Sequence, residues 1–217
     1  MNKNVIVVGG GIAGLTAAVY LARAGRTVTV FEKKRHLGGR AITHLRQGYR
    51  FNLGGHAVYR GGGGAQVYRE LGIPLRGGLP KGKGSYGLLG SERHRLPFTF
   101  FSYLTTSLFG VKAKLELAKL VWKIRGIDAK RYASMTTREW LDENVSDARL
   151  REFLAAEIRV LTYTDHLDAQ SAAVSLEQLR IMIRRGILYV DEGWQKLVDS
   201  LHSAAVTAGV NFVTSSR

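Results

Sequence analysis

Three features of this 217-residue chain predict an α/β fold with an inserted, mainly helical portion. Val5-Ile6-Val7-Val8 and Thr27–Phe31 are short β-branched runs that read as parallel strands, the first of them buried. Between them, residues 12–24 repeat apolar side chains at helical spacing, and Gly25 supplies a stop signal. From residue 97 the texture changes to long helical patterns, before a strand and a helix return over 187–213.

The remaining elements follow from local signals. Strands are expected near 49–51 and 57–59, and a short helix near 67–71. Residues 61–64 read as a loop or a helix approach, and 77–90 as turns joining short strands. Helices are expected at 111–125, 136–144, 147–160, 172–184 and 194–208, with strands at 187–190 and from 210. Ser134 or Thr136, and then Ser146 or Asp147, are candidate caps. The division expected is 1–75, 76–185 and 186–217, the last returning to the first.

Composition narrows the chemistry. Apolar residues at 45% suffice for a packed core, and the absence of Cys excludes disulfides, Cys-ligated zinc, iron–sulfur clusters and a thiol nucleophile. No apolar run reaches the ~18 residues of a membrane span. The net charge of +15 is uneven: residues 1–130 hold 22 basic and 5 acidic side chains, residues 131–217 hold 10 and 12. That excess raises nucleic acid or an anionic membrane as partners. The basic residues are dispersed and no nucleic-acid motif accompanies them, so no nucleic acid is expected.

The chemical signal is Gly9-Gly10-Gly11-Ile12-Ala13-Gly14, a G-x-G-x-x-G that follows a strand and opens a helix. Gly9 permits the tight turn, Gly11 lets a pyrophosphate approach the backbone, and Gly14 lets helix and strand pack closely. The first amides of the helix, at Ile12, Ala13 and Gly14, then face the phosphates at the positive end of the helix dipole. Glu32 ends the second strand 18 residues after Gly14, where a carboxylate accepts bonds from a ribose diol and repels a 2′-phosphate. The competing reading of Glu32 is a solvated strand-end charge. Lys33, Lys34 and Arg35 follow as a basic turn, with Lys33 a further cofactor candidate.

From Val7 the chain runs VVGGGIAGLTAAVYLARAGRTVTVFEKKRHLGGRAIT. This resembles the N-terminal signature of the flavin-dependent amine oxidase, protoporphyrinogen oxidase and phytoene desaturase superfamily. Its mark is Gly38-Gly39-Arg40 after the acidic residue, a segment that in the family returns to the pyrophosphate. Two glycines allow close backbone approach, and a guanidinium suits phosphate oxygens. Phe51-Asn52-Leu53-Gly54-Gly55-His56 is similar to the family segment passing the flavin ring, so Gly54, Gly55 and His56 join the cofactor candidates. Residues 187–198 resemble the family's return to the cofactor domain, with Glu192 where a second glycine usually stands. The flow of 54–75 and 160–197 is most similar to phytoene-desaturase-like proteins.

The resemblance implies a Rossmann-like, glutathione-reductase-like FAD-binding domain with an inserted helical substrate portion. It implies FAD as cofactor and hydride transfer from an apolar or amine substrate to flavin. It also implies that the chain is an N-terminal part of that fold, since the family's next strand and C-terminal Gly-Asp motif do not follow. The 217 residues alone are then expected to be inactive. Two alternatives stand beside this reading. One is a non-catalytic dinucleotide-binding remnant or one half of a split flavoenzyme, paired with a second half-chain or with itself. The other is an NAD-dependent dehydrogenase, against which Gly38-Gly39-Arg40 argues. No catalytic residue is assigned: Tyr163, Asp165 and His166 cluster in sequence, but a polar helix end explains them.

In the helical portion, Phe98, Phe100, Phe101, Tyr103, Leu104, Leu108 and Phe109 form a dense apolar stretch. The helix after it sets Leu115, Ala118, Val121 and Trp122 on one stripe among Lys112, Lys114, Lys119, Lys123 and Arg125. Core packing is the first reading of these residues. The alternative is an apolar tunnel or a basic amphipathic face on an anionic membrane, so the chain is expected to be cytoplasmic, with peripheral membrane contact under that alternative.

Overall fold

The computed structural model describes residues 3–54, 57–80, 82 and 84–216. In chain order the elements are β1 (Asn4–Val8), α1 (Ile12–Arg23), β2 (Thr27–Phe31), β3 (Thr43–Arg46), β4 (Tyr49–Asn52), β5 (Val58–Tyr59), α2 (Gly63–Glu70) and β6 (Gly77–Gly78). Then come β7 (Tyr86–Leu89), β8 (Glu92–Arg95), α3 (Phe100–Thr105), α4 (Val111–Arg125), α5 (Thr137–Asn144), α6 (Ala148–Thr162) and α7 (Ala172–Arg185). The chain continues through β9 (Ile187–Val190), α8 (Gln195–Thr207) and β10 (Asn211–Val213). It divides into two units, Met1–Leu79 with Ile187–Arg217, and Pro80–Gly186.

In the first unit β1, β2 and β10 form a parallel sheet in the order β1-β2-β10. The pairing Val5↔Val28 and Val7↔Val30 puts four valines on one face, where Val28 and Val30 are fully buried. Against them lie Leu15, Ala18 and Val19 of α1, with Val198, Leu201 and Ala205 of α8 in the same core. Both helices stop at left-handed glycines, Gly25 at φ +76° and Gly209 at φ +82°. This is the Rossmann-like α/β arrangement that the two strands and their helix predicted.

One expectation needs correction. The continuous apolar run of β1 reads as a strand covered on both faces, yet Ile6 is 66% and Val8 86% exposed. A strand's side chains alternate between faces. Val5 and Val7 meet the α1 and α8 layer, whereas no described element covers the opposite face of β1. Around this sheet, β3 and β4 form an antiparallel hairpin, and β9 pairs antiparallel with both β5 and β6. The hairpin strand β3 has no strong apolar signal in the sequence, which explains its absence from the expectations above.

The second unit is mainly helical. Thr136 caps α5 in a reciprocal box with Glu139, Asp147 caps α6 and Ser171 caps α7. The caps therefore fall on Thr136 and Asp147 rather than on Ser134 and Ser146. The core joins Leu117, Leu120 and Ile124 of α4 to Leu150, Leu154 and Ile158 of α6 and Leu176 and Leu179 of α7, all buried. Phe109 and Phe153 meet edge-on at 5.4 Å. Beside this core is a cavity of about 400 Å³, lined almost wholly by apolar side chains of α3, α4, α6 and α7. Glu157 on α6 is the one charged side chain in that lining.

Burial pushes the Glu157 carboxyl up to about 7, from an ordinary 4.5. The folded chain therefore holds a proton there that the unfolded chain releases, and stability falls as pH rises from 4.5 through 7. Glu157→Gln is expected to raise stability by about 1–3 kcal/mol at about pH 8 and to change little at about pH 4. Urea unfolding at the two pH values checks this, and equal effects at both would contradict it.

Candidate dinucleotide-binding site

The site grows from the end of β1. Gly9 donates its N–H to the Phe31 carbonyl at 2.7 Å and turns at φ +101°, a region that side-chain-bearing residues rarely adopt. Gly14 is fixed by contact rather than by conformation. A Cβ there would lie 1.9 Å from the Gly9 carbonyl oxygen, so only hydrogen lets the first turn of α1 sit on the end of β1. Gly11 is the N-cap of α1 and offers no side chain to the helix end. The first turn of α1 holds no acidic residue and no side chain caps it, so no side chain of the helix itself offsets the positive dipole end.

Gly10, the variable position of the motif, is tied through its backbone, and a side chain there would require the Leu37 side chain to move. It is buried, and a Cβ on it would collide with the Leu37 side chain at 2.3 Å. Its N–H donates to Glu32 Oε2 at 2.7 Å, and Lys34 N–H donates to Glu32 Oε1 at 2.8 Å. Glu32 is thus a buried carboxylate at the turn, not a solvated strand-end charge. The amide of Lys34 first, and then that of Gly10, hold its carboxyl below the usual carboxylate range against the opposing effect of burial. A carboxylate has about four acceptor positions, so a diol can still bond to it.

The Gly-Gly-Arg segment comes back onto this turn. Gly38 donates its N–H to the Gly10 carbonyl at 2.8 Å and forms a parallel bridge with Gly11. Gly38 and Gly39 both have positive φ, at +119° and +55°, and a Cβ on Gly39 would lie 3.7 Å from the Gly11 Cα. Arg40 sits on the short 3-10 turn Gly39–Ala41 with its side chain exposed. Gly38 also packs against Val198 of α8, which brings the late return segment to the same place.

A dinucleotide fits this cradle on the structure's own terms. A Cβ at Gly9 would meet nothing within 4 Å, and one at Gly11 only the Gly38 carbonyl at 3.9 Å. The backbone is therefore open to a ligand where a pyrophosphate must approach, beside an uncapped helix start and an ionised carboxylate. Gly9, Gly10, Gly11, Ile12, Ala13, Gly14, Glu32, Gly38 and Gly39 are brought together. Lys33 is exposed just past Glu32, and Gly54 is exposed at φ +129° after β4. Gly55 and His56 lie outside the described residues.

The late segment is secured by a polar clasp that the sequence does not advertise. Thr43 Oγ1 accepts from Gln195 N–H at 3.0 Å and donates to Asn52 Oδ1 at 2.7 Å. Asn52 Oδ1 also accepts from Trp194 N–H at 3.1 Å. Glu192, standing where the resemblance leads one to expect glycine, adopts φ +64°, the backbone conformation that glycine serves.

Comparison with known proteins agrees with this geometry. Residues 7–71 match the NAD(P)-binding Rossmann-like domain family. A stretch of 54 residues is 41% identical to 4,4'-diaponeurosporene oxygenase of Staphylococcus aureus, covering 25% of this chain and 11% of that protein. Among solved structures, an oxidoreductase from Methanosarcina mazei superposes over 98% of the chain with TM-score 0.74 and 22% identity. A putrescine oxidase superposes over 97% with TM-score 0.63 and 20% identity. A Rab GDI from Plasmodium falciparum, at 14% identity, superposes over 99% with TM-score 0.67. These structural likenesses show the fold alone. The chain spans about half the length of these structures, at 51%, 50% and 58% of each.

Two outcomes are expected from the glycine geometry and the Glu32 bonds. Gly14→Ala is expected to destabilise the chain by about 3 kcal/mol or more, since a backbone carbonyl blocks the added methyl, while Gly11→Ala shifts stability by less than about 1 kcal/mol. Urea denaturation distinguishes the two. Because the folded value of Glu32 lies below its unfolded 4.5, its stabilisation is complete above that pH and is lost as pH falls through the folded value. Glu32→Gln is therefore expected to be less stable than the parent at about pH 7, with the difference shrinking as pH falls below 4.5.

Proposed function

We propose that this chain, whose likenesses are consistent with the amine oxidase, protoporphyrinogen oxidase and phytoene desaturase superfamily, binds FAD and serves a flavin-dependent oxidoreductase acting on an apolar or amine substrate. The observation that carries this reading is the docking of Gly38 and Gly39 on the Gly9–Gly14 turn, through the Gly38 N–H to Gly10 carbonyl bond. A dinucleotide-binding βαβ unit needs only the first turn and the acidic residue. The second glycine pair beside the pyrophosphate position is the feature that resembles the flavin superfamily.

In this reading each group has a physical role. The amides at the start of α1 bind the diphosphate, and Glu32 accepts from the adenosine ribose diol. The Gly10 and Lys34 amides keep Glu32 ionised and oriented for that task. Gly9, Gly11 and Gly39 keep the backbone bare where the phosphates approach. Arg40 adds a guanidinium on the same segment as the glycine pair. When bound, flavin supplies the hydride-accepting chemistry, and the protein's part is to hold and orient it and to exclude water. The apolar cavity of about 400 Å³ in the helical unit, with Glu157 in its lining, supports an apolar or amine substrate.

Titration of the purified chain with FAD and NADH, followed by calorimetry, tests the proposal. FAD is expected to bind saturably and more tightly than NADH. Gly11→Ala is expected to weaken FAD by about tenfold or more while keeping the fold, because its methyl fills the space left for phosphate. Tighter binding of NADH than FAD would instead identify a nicotinamide protein.

A further inference from the structure

Helix α4 is apolar on two opposite sides. Ala113, Leu117, Leu120 and Ile124 form its inner stripe and are buried in the core of the helical unit. At 3.6 residues per turn, Val111, Leu115, Ala118 and Trp122 form a second stripe on the far side. That stripe is open: Leu115 is 59% and Trp122 80% exposed, and Val111 and Ala118 are exposed as well. Lys112, Lys119 and Lys123 run along one border of the stripe, and Lys114 and Arg125 along the other. The helix has one acidic residue, Glu116, and its carboxylate is turned inward to accept from the Ser146 and Asp147 amides at 2.6 and 3.2 Å.

Helix α3 extends this face. Phe100, Phe101 and Leu104 are 80%, 66% and 52% exposed. The two helices are tied by Tyr103 Oη donating to the Lys114 carbonyl at 2.6 Å and by Lys114 Nζ donating to the Leu104 carbonyl at 2.7 Å. Phe100, Tyr103, Ala118 and Val121 also line the apolar cavity, so the cavity borders this surface.

We propose that the α3–α4 face docks on an anionic lipid bilayer, with Phe100, Phe101, Leu115 and Trp122 entering the interface and Lys112, Lys119 and Arg125 meeting the headgroups, while Lys114 and Lys123 hold the Leu104 carbonyl and Asn144. An exposed apolar stripe between rows of cations is the pattern of an interfacial helix. The charge distribution selects the bilayer over the alternatives. Lysine is depleted from protein–protein interfaces, and a two-fold contact with a second copy would set these cations against their own kind. The docking is peripheral, since among the described residues no helix is long and apolar enough to cross a membrane. It does not depend on the nucleotide reading, because every residue it uses lies in the helical unit.

A chain of charge +15 adheres to anionic vesicles without inserting, so the test separates charge from insertion. The full chain is sedimented with phosphatidylcholine vesicles and with vesicles containing about one third phosphatidylglycerol, in low and high salt. Partitioning is expected to rise about tenfold or more with the anionic lipid. Leu115→Ser/Trp122→Ser keeps every charge and is expected to lower that partitioning about tenfold, with circular dichroism confirming that it folds. Lipids brominated in the acyl chain are expected to quench tryptophan emission of the parent, and this quenching is lost in Trp122→Phe. Equal binding by the double variant, or no quenching by brominated lipid, overturns the proposal. So does a lipid-free dimer in sedimentation equilibrium that the double variant abolishes, since that assigns the face to a second copy.

Discussion

The structure depends on a missing side chain. Gly14 lies so close to the Gly9 carbonyl that a single methyl would meet it at 1.9 Å. Without that approach the first turn of α1 could not sit on the end of β1. The distance is a packing constraint before it is a binding feature. It sets where the first amides of α1 lie, and those amides define what the turn can hold.

Two further constraints build on that contact. Glu32 uses its carboxylate to fasten the turn to the end of β2, through the Gly10 and Lys34 amides. Gly38 then fastens the next segment to the turn through the Gly10 carbonyl. Gly10 thus bonds in both directions, with its N–H to Glu32 and its carbonyl to Gly38. A position that the motif leaves variable carries the junction of three segments. The motif spacing could not show this, because both partners, Glu32 and Gly38, lie far along the chain from the turn.

The second half of the first unit is held by means that leave little trace in sequence. Residues 187–213 return as β9, α8 and β10, with β10 pairing in parallel with β2. Hydrophobic patterning predicts that these elements exist. Strand pairing and the packing of α8 hold them, and Thr43 and Asn52, two ordinary polar residues, add a clasp by taking up the backbone amides of Gln195 and Trp194 at the start of α8. A lone Thr and a lone Asn carry no periodic signal, and their roles appear only when the β3–β4 hairpin is in place.

Local chemistry written along the chain determined the βαβ unit, its glycine turn, the acidic strand end and helices α4 to α7 of the second unit, but not α3, whose residues read only as an apolar aromatic stretch. Those features arise from residues near one another in sequence: β-branched runs, 3.6-residue periodicity, glycines at forced turns and hydroxyl or carboxylate caps. Tertiary structure decided what each apolar stripe faces. The sequence marks β1 as continuously apolar, yet one face is left open because no described layer covers it. In α4 the sequence puts Leu115, Ala118, Val121 and Trp122 on one stripe with core packing as its first reading, yet Leu115, Ala118 and Trp122 are exposed and packing chose the opposite stripe of Ala113, Leu117, Leu120 and Ile124 for the core. Patterning records that a surface is apolar. Which surface is buried depends on neighbours brought together from distant parts of the chain.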